Sequence, residues 1–292
     1  MDKGVSIFTP TYNRAYILPK LYESLKKQTC GEFEWIIVDD GSTDGTKQII
    51  ETYIKEEKIT IRYYYQENSG KHIAHNLGVR EARKMLFTCV DSDDYLTENA
   101  VQCILETEKE AKDCIGIVFA RGYKEEKPIT RWKNKVKRAT LYDAYHKYGL
   151  RGDTMLIYRT DIIKNYYFPQ FEREKFVPEA YLYDQLDSIG KLYIKGKIIY
   201  ICNYLSDGYT VSMKKVICRN PNGYREYIKQ RICIDKRWYY KLTDVIRYVS
   251  ISFVLKEYKM WSTINPVLLF FAYFPGWILY RIKYKKSLET NE

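Results

Sequence analysis

At 292 residues the chain exceeds the roughly 100–200 residues of a common domain, yet α/β domains of about 250 residues occur as single units, so one catalytic-sized domain with a C-terminal appendage fits best. Apolar residues make up 46% of the chain and charged residues 29%, which supplies a real core and excludes general disorder. The formal charge of +11 favours anionic partners, whether nucleic acid, a membrane surface or a phosphorylated substrate, and does not choose among them.

Val5–Thr9 is a β-rich run closed by Pro10, after which Leu18, Leu21, Tyr22 and Leu25 recur at helical spacing up to Gln28. Trp35–Val38 is the next apolar run, ended by Asp39-Asp40-Gly41, and Ile49, Ile50, Tyr53 and Ile54 mark a second helix behind capping residues around Thr43 and Asp44. Thr60–Tyr65 reads as a third strand, His75–Arg83 as a helix, and Met85–Val90 as a fourth strand that stops at Asp91. Strands alternating with helices imply an α/β fold with a mostly parallel sheet and covered faces. Beyond Leu105 the pattern loosens: Ile115–Phe119 and Leu156–Tyr158 read as strands and Lys124–Arg138 as a strongly basic loop. From Trp238 the chain is helical in pattern and rich in tyrosine.

In parallel sheets of this kind ligands bind at the carboxyl ends of the strands. Polar clusters fall at those ends: Thr9 to Arg14, Asp39 to Ser42, Glu67 to Lys71, and Asp91-Ser92-Asp93-Asp94, which together predict one continuous polar groove. Carboxylates at i and i+2 leaving a strand can divide the work, one reaching a ribose hydroxyl and the other a hard divalent cation. The same acids also suit the first turn of a helix. A carboxylate of the Asp39-Asp40 pair can accept from the imide of uracil and Tyr12 can offer an aromatic face, a pairing suited to a pyrimidine nucleotide. A tight turn and helix cap would use the Asp-Gly-Ser-Thr segment equally well.

Thr9-Pro-Thr-Tyr12-Asn13-Arg14, Val38-Asp39-Asp40-Gly41-Ser42-Thr43-Asp44, Asn68-Ser69-Gly70-Lys71 with Ala74-His75-Asn76-Leu77-Gly78, and Asp91-Ser92-Asp93-Asp94 stand in the order and spacing of family 2 glycosyltransferases, which the chain resembles over residues 4–105 and more weakly to Thr210. The resemblance implies a GT-A fold, a nucleotide-sugar donor, most often UDP-linked, and transfer with inversion at the anomeric carbon. It implies a catalytic domain over residues 1–212, with a donor-binding half (1–105) and an acceptor half (106–212), followed by a helical extension (213–292). By the same resemblance, Thr9, Tyr12 and Arg14 form the base and ribose loop and Asp39 reads uracil. Asn68, Lys71, Asp91 and Ser92 also contact the nucleotide sugar, and Asp93 with Asp91 holds Mn2+ or Mg2+. Inversion needs a base on the acceptor hydroxyl. The family's usual Glu-Asp pair before a helix is absent in that form, and in the nearest segment, Phe176–Asp184, Glu179 matches best, with Asp184 and then Asp187 as alternatives.

Asp207-Gly208-Tyr209-Thr210 lies where related enzymes carry a mobile loop, although a hairpin turn would use the same residues. His72 and His75, three apart, have no third ligand of matching type nearby, so His75 is expected to pack beneath the donor loop. Arg131–Arg138 interleaves cations with Trp132, yet no nucleic-acid motif accompanies it, and contact with acceptor phosphates or lipid headgroups is expected instead. The Asp91–Asp94 cluster and the large second half speak against a receiver-type signalling module. A non-catalytic nucleotide- or polyanion-binding module is the competing reading.

The seven cysteines are odd in number and never spaced C-x-x-C, which indicates neither a zinc ribbon nor a disulfide framework. With no signal-peptide pattern after Met1, a cytoplasmic location is expected. Pro266–Tyr280 is shorter than the roughly 20 apolar residues that span a bilayer and is interrupted by Pro275-Gly276. Trp261, Tyr273, Phe274, Trp277 and Tyr280, with the cations up to Lys286, predict peripheral contact with the inner face of the cell membrane through residues 261–286, or contact with a second copy of the chain. A glycan or lipid-linked acceptor in surface polysaccharide synthesis fits that tail.

Overall fold

The computed structural model describes residues 1–132, 136–203, 213–235, 237–258, 260 and 264–285. Contacts divide the chain into two compact units, Met1–Tyr167 with Gln185–Leu205, and Phe168–Asp184 with Ser206–Glu292. Residues 168–184, assigned by sequence to the acceptor half, group with the helices that follow them.

The first unit carries β1 (Asp2–Thr11), α1 (Leu18–Lys26), β2 (Phe33–Asp39), α2 (Thr46–Lys55), β3 (Ile61–Tyr65), α3 (Lys71–Glu81), β4 (Lys84–Cys89), β5 (Tyr95–Leu96), α4 (Ala100–Glu110), β6 (Gly116–Lys124), β7 (Lys127–Pro128), β8 (Arg138–Ala139), α5 (Leu141–His146), β9 (Thr154–Arg159) and α6 (Thr160–Ile163). α7 (Ala180–Leu186) begins in the second unit and ends in the first, which closes with β10 (Leu192–Ile201).

The sheet runs in the order β3-β2-β1-β4-β9-β6-β10-β5, with β7 and β8 on β6 and β10. The expected parallel arrangement holds from β3 to β4 and again between β6 and β10. Between those blocks β9 lies antiparallel to both β4 and β6, a return that needs no crossover helix on the sheet face. β10 has no clear alternation in sequence, because Lys195-Gly196-Lys197 interrupts two apolar ends and its register slips there against β6.

Every residue of β2 is buried, as a strand covered on both faces requires. The apolar stripe of α1, Leu18, Leu21, Tyr22 and Leu25, packs into the core against Trp35, with Tyr22 stacked 3.7 Å from Tyr53. Burying each such side chain stabilises the fold by about 1.5–3 kcal/mol. Since β1 to β4 are parallel, their carboxyl ends lie along one edge of the sheet, and that edge positions the site.

The second unit contains α8 (Met213–Arg219), α9 (Pro221–Ile234), α10 (Trp238–Val254) and α11 (Pro266–Tyr280), which continues as a π-helical turn, Arg281–Lys285. Glu174 joins residues 168–184 to these helices: its carboxylate accepts from the Asn222 and Gly223 amides at 2.8 and 2.7 Å, satisfying donors at the start of α9. Asn265 caps α11 by accepting from the Val267 amide at 3.0 Å, and Pro266 occupies the first turn, where no amide is missed. Arg231 of α9 sits 3.5 Å from each of Asp184, Asp235 and Asp244, and Arg247 pairs with Asp244 at 3.0 Å.

Candidate active site

The four strand-end loops are tied to one another. Asn13 donates its amide to Ser42 Oγ at 2.9 Å, and its side-chain oxygen accepts from the Thr43 amide at 2.8 Å, joining the loops after β1 and β2. Asp44 accepts from the Ala15 amide at 3.1 Å and from the Thr46 amide at 3.0 Å, fixing the start of α2. Asp40 then holds the loop after β3, its carboxylate accepting from Gln66 Nε2 at 2.7 Å and from the Ser69 and Gly70 amides at 2.8 Å each. Gly41, at φ +85°, lies so near Asn68 that an added Cβ would come within 2.8 Å of the Asn68 amide nitrogen. Lys71 adds the fourth loop by donating to Asp91 Oδ1 at 2.6 Å, linking the start of α3 to the loop after β4. The polar groove expected from sequence is thus a bonded set of loops within one unit.

Asp91, Asp93 and Asp94 crowd three carboxylates into the loop after β4. Burial pushes the Asp91 carboxyl up, but Lys71 and Arg121 outweigh it and hold Asp91 below the usual carboxylate range. Burial and then the Asp91 charge push Asp93 up, against smaller pulls from Arg14 and Lys71. Asp94 is pushed up to about 6 by burial and by Asp91, although Tyr200 donates to its Oδ2 at 2.7 Å and the Asn203 amide to its Oδ1 at 2.8 Å. The Tyr200 hydroxyl also accepts from the Asp91 amide at 3.1 Å, so one phenol spans the cluster. Arg121, the register partner of Tyr200 on β6, stacks 4.0 Å over its ring and brings a cation against Asp91 and Asp94. Sequence reading missed both residues. The only local signal was a polar group ending one apolar run and interrupting another.

A hard divalent cation fits this cluster. Mg2+ takes one or two carboxylates and completes its shell with water and substrate phosphates, so a full set of protein ligands is not required. Among the described residues no group of three or more His, Cys, Asp or Glu side chains forms such a full set. The donors that would hold it, Asp93 and Asp91, are oxygens whose mutual repulsion an added cation relieves.

The other sequence-predicted residues fall differently. Tyr12 is exposed in the loop after β1, Arg14 is half-buried beside it and interacts with Asp93, and Ser92 is buried. Thr9 is fully buried, and its hydroxyl accepts from the Trp35 indole at 2.9 Å, so it braces the loop from the core side rather than offering a ligand contact. Asp39 is buried and accepts from Tyr63 at 3.0 Å and the Ser42 amide at 2.8 Å, which aims its carboxylate and leaves acceptor capacity over. His75 packs edge-on to Phe8 and Phe87, and burial pushes its pKa down to about 3, keeping it a neutral packing group under the loops. Glu179 is exposed directly before α7, and Asp184 is ion-paired with Arg231. Asp187 accepts from the Leu141 and Tyr142 amides and so caps α5. Tyr204–Thr210, Lys133–Lys135, Trp261 and Lys286 lie outside the described residues.

A mixed α/β sheet with a carboxylate cluster ending β4 and bonded polar loops along one edge is the arrangement of a GT-A fold. The profile of Glycosyl transferase family 2 matches residues 6–167, and the chain belongs to that family. It is 35% identical over 119 residues to glycosyltransferase GlyG of Streptococcus pneumoniae, an overlap of 40% of this chain and 39% of that one. Over 186 residues it is 29% identical to the poly(ribitol-phosphate) beta-N-acetylglucosaminyltransferase TarS of Staphylococcus aureus, covering 61% of this chain and 32% of TarS. The chain thus spans roughly a third of the length of the curated relatives it matches. Its fold is similar to TarS 1–349 in complex with UDP-GlcNAc, with a TM-score of 0.63 at 22% identity over 93% of this chain and 79% of that one. It is also similar to the mannosyltransferase PcManGT of Pyrobaculum calidifontis in complex with GDP-Man and Mn2+, with a TM-score of 0.58 at 13% identity over 99% and 83% of the two chains.

Proposed function

We propose that the protein is an inverting glycosyltransferase that moves a hexose or N-acetylhexosamine from a UDP-sugar to a hydroxyl of a glycan or lipid-linked acceptor in surface polysaccharide synthesis. The observation that carries this reading is the bonded series of four strand-end loops that leads, through Lys71, to Asp91–Asp94. Tyr12, Arg14, Asp39, Asn68, Lys71, Asp91 and Ser92 are assigned to the nucleotide sugar, over a donor-binding half of residues 1–105, an acceptor half to 212 and a helical extension beyond. Asp39 orients the base, its carboxylate aimed by Tyr63 and Ser42. Tyr200 and Arg121 keep the Asp91–Asp94 loop in one conformation and balance part of its charge. Asp93 and Asp91 would hold Mn2+ or Mg2+, which when bound offsets the charge building on the departing diphosphate. Glu179 takes the proton of the acceptor hydroxyl, an assignment that rests on its place before α7. The alternative, Asp184, is held by Arg231.

The test is UDP release from a panel of UDP-sugars, with and without Mn2+ or Mg2+, by the intact chain and by Asp93→Ala and Glu179→Ala. Metal-dependent release from one donor is expected, lowered roughly 10²–10³-fold in Asp93→Ala. UDP binding should survive in Glu179→Ala while turnover falls. Metal-dependent UDP binding with no release from any donor, even with glycan acceptors added, would instead leave a nucleotide-binding module.

A further inference from the structure

α11 has two unlike faces. Leu269, Ala272 and Gly276 are buried against α10, so closely that a Cβ on Gly276 would meet Val249 at 2.6 Å. The other face carries Val267, Phe270, Phe271, Phe274 and Ile278 at helical spacing, and the π-helical turn extends it with Ile282. Phe270 is 72% exposed, Phe271 62%, Phe274 65% and Ile282 76%. A solvated helix face normally bears charge, so a contiguous aromatic stripe of this kind marks a surface that meets something apolar.

Charge narrows what that is. Between Glu257 and Glu289 the chain has no acidic residue, whereas Lys259, Arg281, Lys283, Lys285 and Lys286 are basic. Arg281 reaches over Trp277, 5.5 Å from its ring, at the edge of the apolar stripe. Burial pulls the Lys283 pKa down, and Arg247 and Lys214 pull it further, so cations from three helical segments converge there. A second copy packed on the same stripe would bring an equally acid-free segment and leave these cations unanswered, whereas anionic phosphates would answer them. Spanning is excluded for this helix: its 15 residues fall short of the roughly 20 a bilayer requires.

We propose that α11 lies in the surface of an anionic phospholipid bilayer, with Phe270, Phe271 and Phe274 in the acyl boundary and Arg281, Lys283 and Lys285 among the headgroup phosphates. Aromatic side chains below and cations level with the phosphates form the pattern of helices that lie in the interface plane. That this brings the protein to a lipid-linked acceptor rests on the transfer activity proposed above, whereas the lipid contact does not.

Flotation of the full chain with phosphatidylglycerol-containing vesicles, compared with pure phosphatidylcholine vesicles, tests the proposal. Binding to the anionic vesicles alone is expected, weakened as salt rises from about 0.1 to about 0.5 M. The double variant Phe271→Ser/Phe274→Ser should lower partitioning by at least about tenfold, and Lys283→Glu/Lys285→Glu should abolish the preference for anionic lipid. Both variants alter exposed or half-buried side chains, and unchanged circular dichroism and lipid-free UDP release would show that the fold is intact. Equal flotation of the double-serine variant and the parent would overturn the proposal. So would an intact chain that ignores anionic vesicles, whether monomeric or a dimer that Phe271→Ser/Phe274→Ser dissolves. Vesicle binding by a chain that releases no UDP would uphold this surface and remove only the transfer reading.

Discussion

The two units each gather three aspartates against two cations. In the first, Asp91, Asp93 and Asp94 face Lys71 and Arg121. In the second, Asp184, Asp235 and Asp244 surround Arg231, with Arg247 beside Asp244. Burial raises carboxyl pKa values in both, at Asp93 and Asp94 in one and at Asp184 and Asp244 in the other. Composition and perturbed titration therefore do not tell a site from a structural knot. The backbone beneath the acids does. The first cluster stands in the loop after a strand, at the sheet edge where ligands of such folds bind. The second is held between helices by a guanidinium equidistant from all three acids.

Substitutions can break this comparison. The largest expected effect is in the second cluster: Arg231→Ala leaves Asp235 and Asp244 buried without their central cation and should cost about 3–5 kcal/mol, read as a lowered urea midpoint. Asp93→Ala should leave that midpoint nearly unchanged while removing donor turnover. If it stabilises the fold and spares turnover, the first cluster is only a strained turn. Tyr200→Phe is expected to fall between, losing about 1–3 kcal/mol because Asp94 loses a buried donor, and lowering kcat more than it raises KM.

The last effect is one of pH and concerns His75. Its folded pKa of about 3 lies below the unfolded value, so the unfolded chain binds the extra proton first as pH falls. The His75 contribution is therefore complete above about pH 6.5 and is lost below it by up to about 1.4 kcal/mol per pH unit, against an opposite gain from Asp94, whose raised pKa favours the fold as pH falls through about 6. His75→Gln should remove that loss from the midpoint-versus-pH curve between about pH 6.5 and 5. An unaltered curve would mean that His75 is solvated and does not pack against Phe8 and Phe87.

Legibility followed the range of the interactions. β1 to β4 and the helices between them are visible in sequence because their apolar runs are short, local and closed by polar turns, and the same turns carry Asp39, Lys71 and Asp91–Asp94. Thr9 shows the limit: a motif residue on a strand end faces either the ligand or the core, and only the partner, Trp35, decides. Arg121 and Tyr200 were illegible because each becomes meaningful only through register with the other across β6 and β10. The grouping of 168–184 with the helices depends on Glu174 reaching Asn222 and Gly223, a pairing that no local pattern announces.

The phenol that bridges Asp91 and Asp94 comes from β10, so the loop after β4 is completed by a residue 109 positions further along the chain. Contacts of that sequence separation form late, since a long segment of chain must be closed before they contribute. The site is then expected to be among the last features of the first unit to mature. A fragment ending at Tyr167 would retain every strand-end motif while lacking the hydroxyl that orders the last of them. Its secondary structure should form, but nucleotide affinity should appear only once β10 is made.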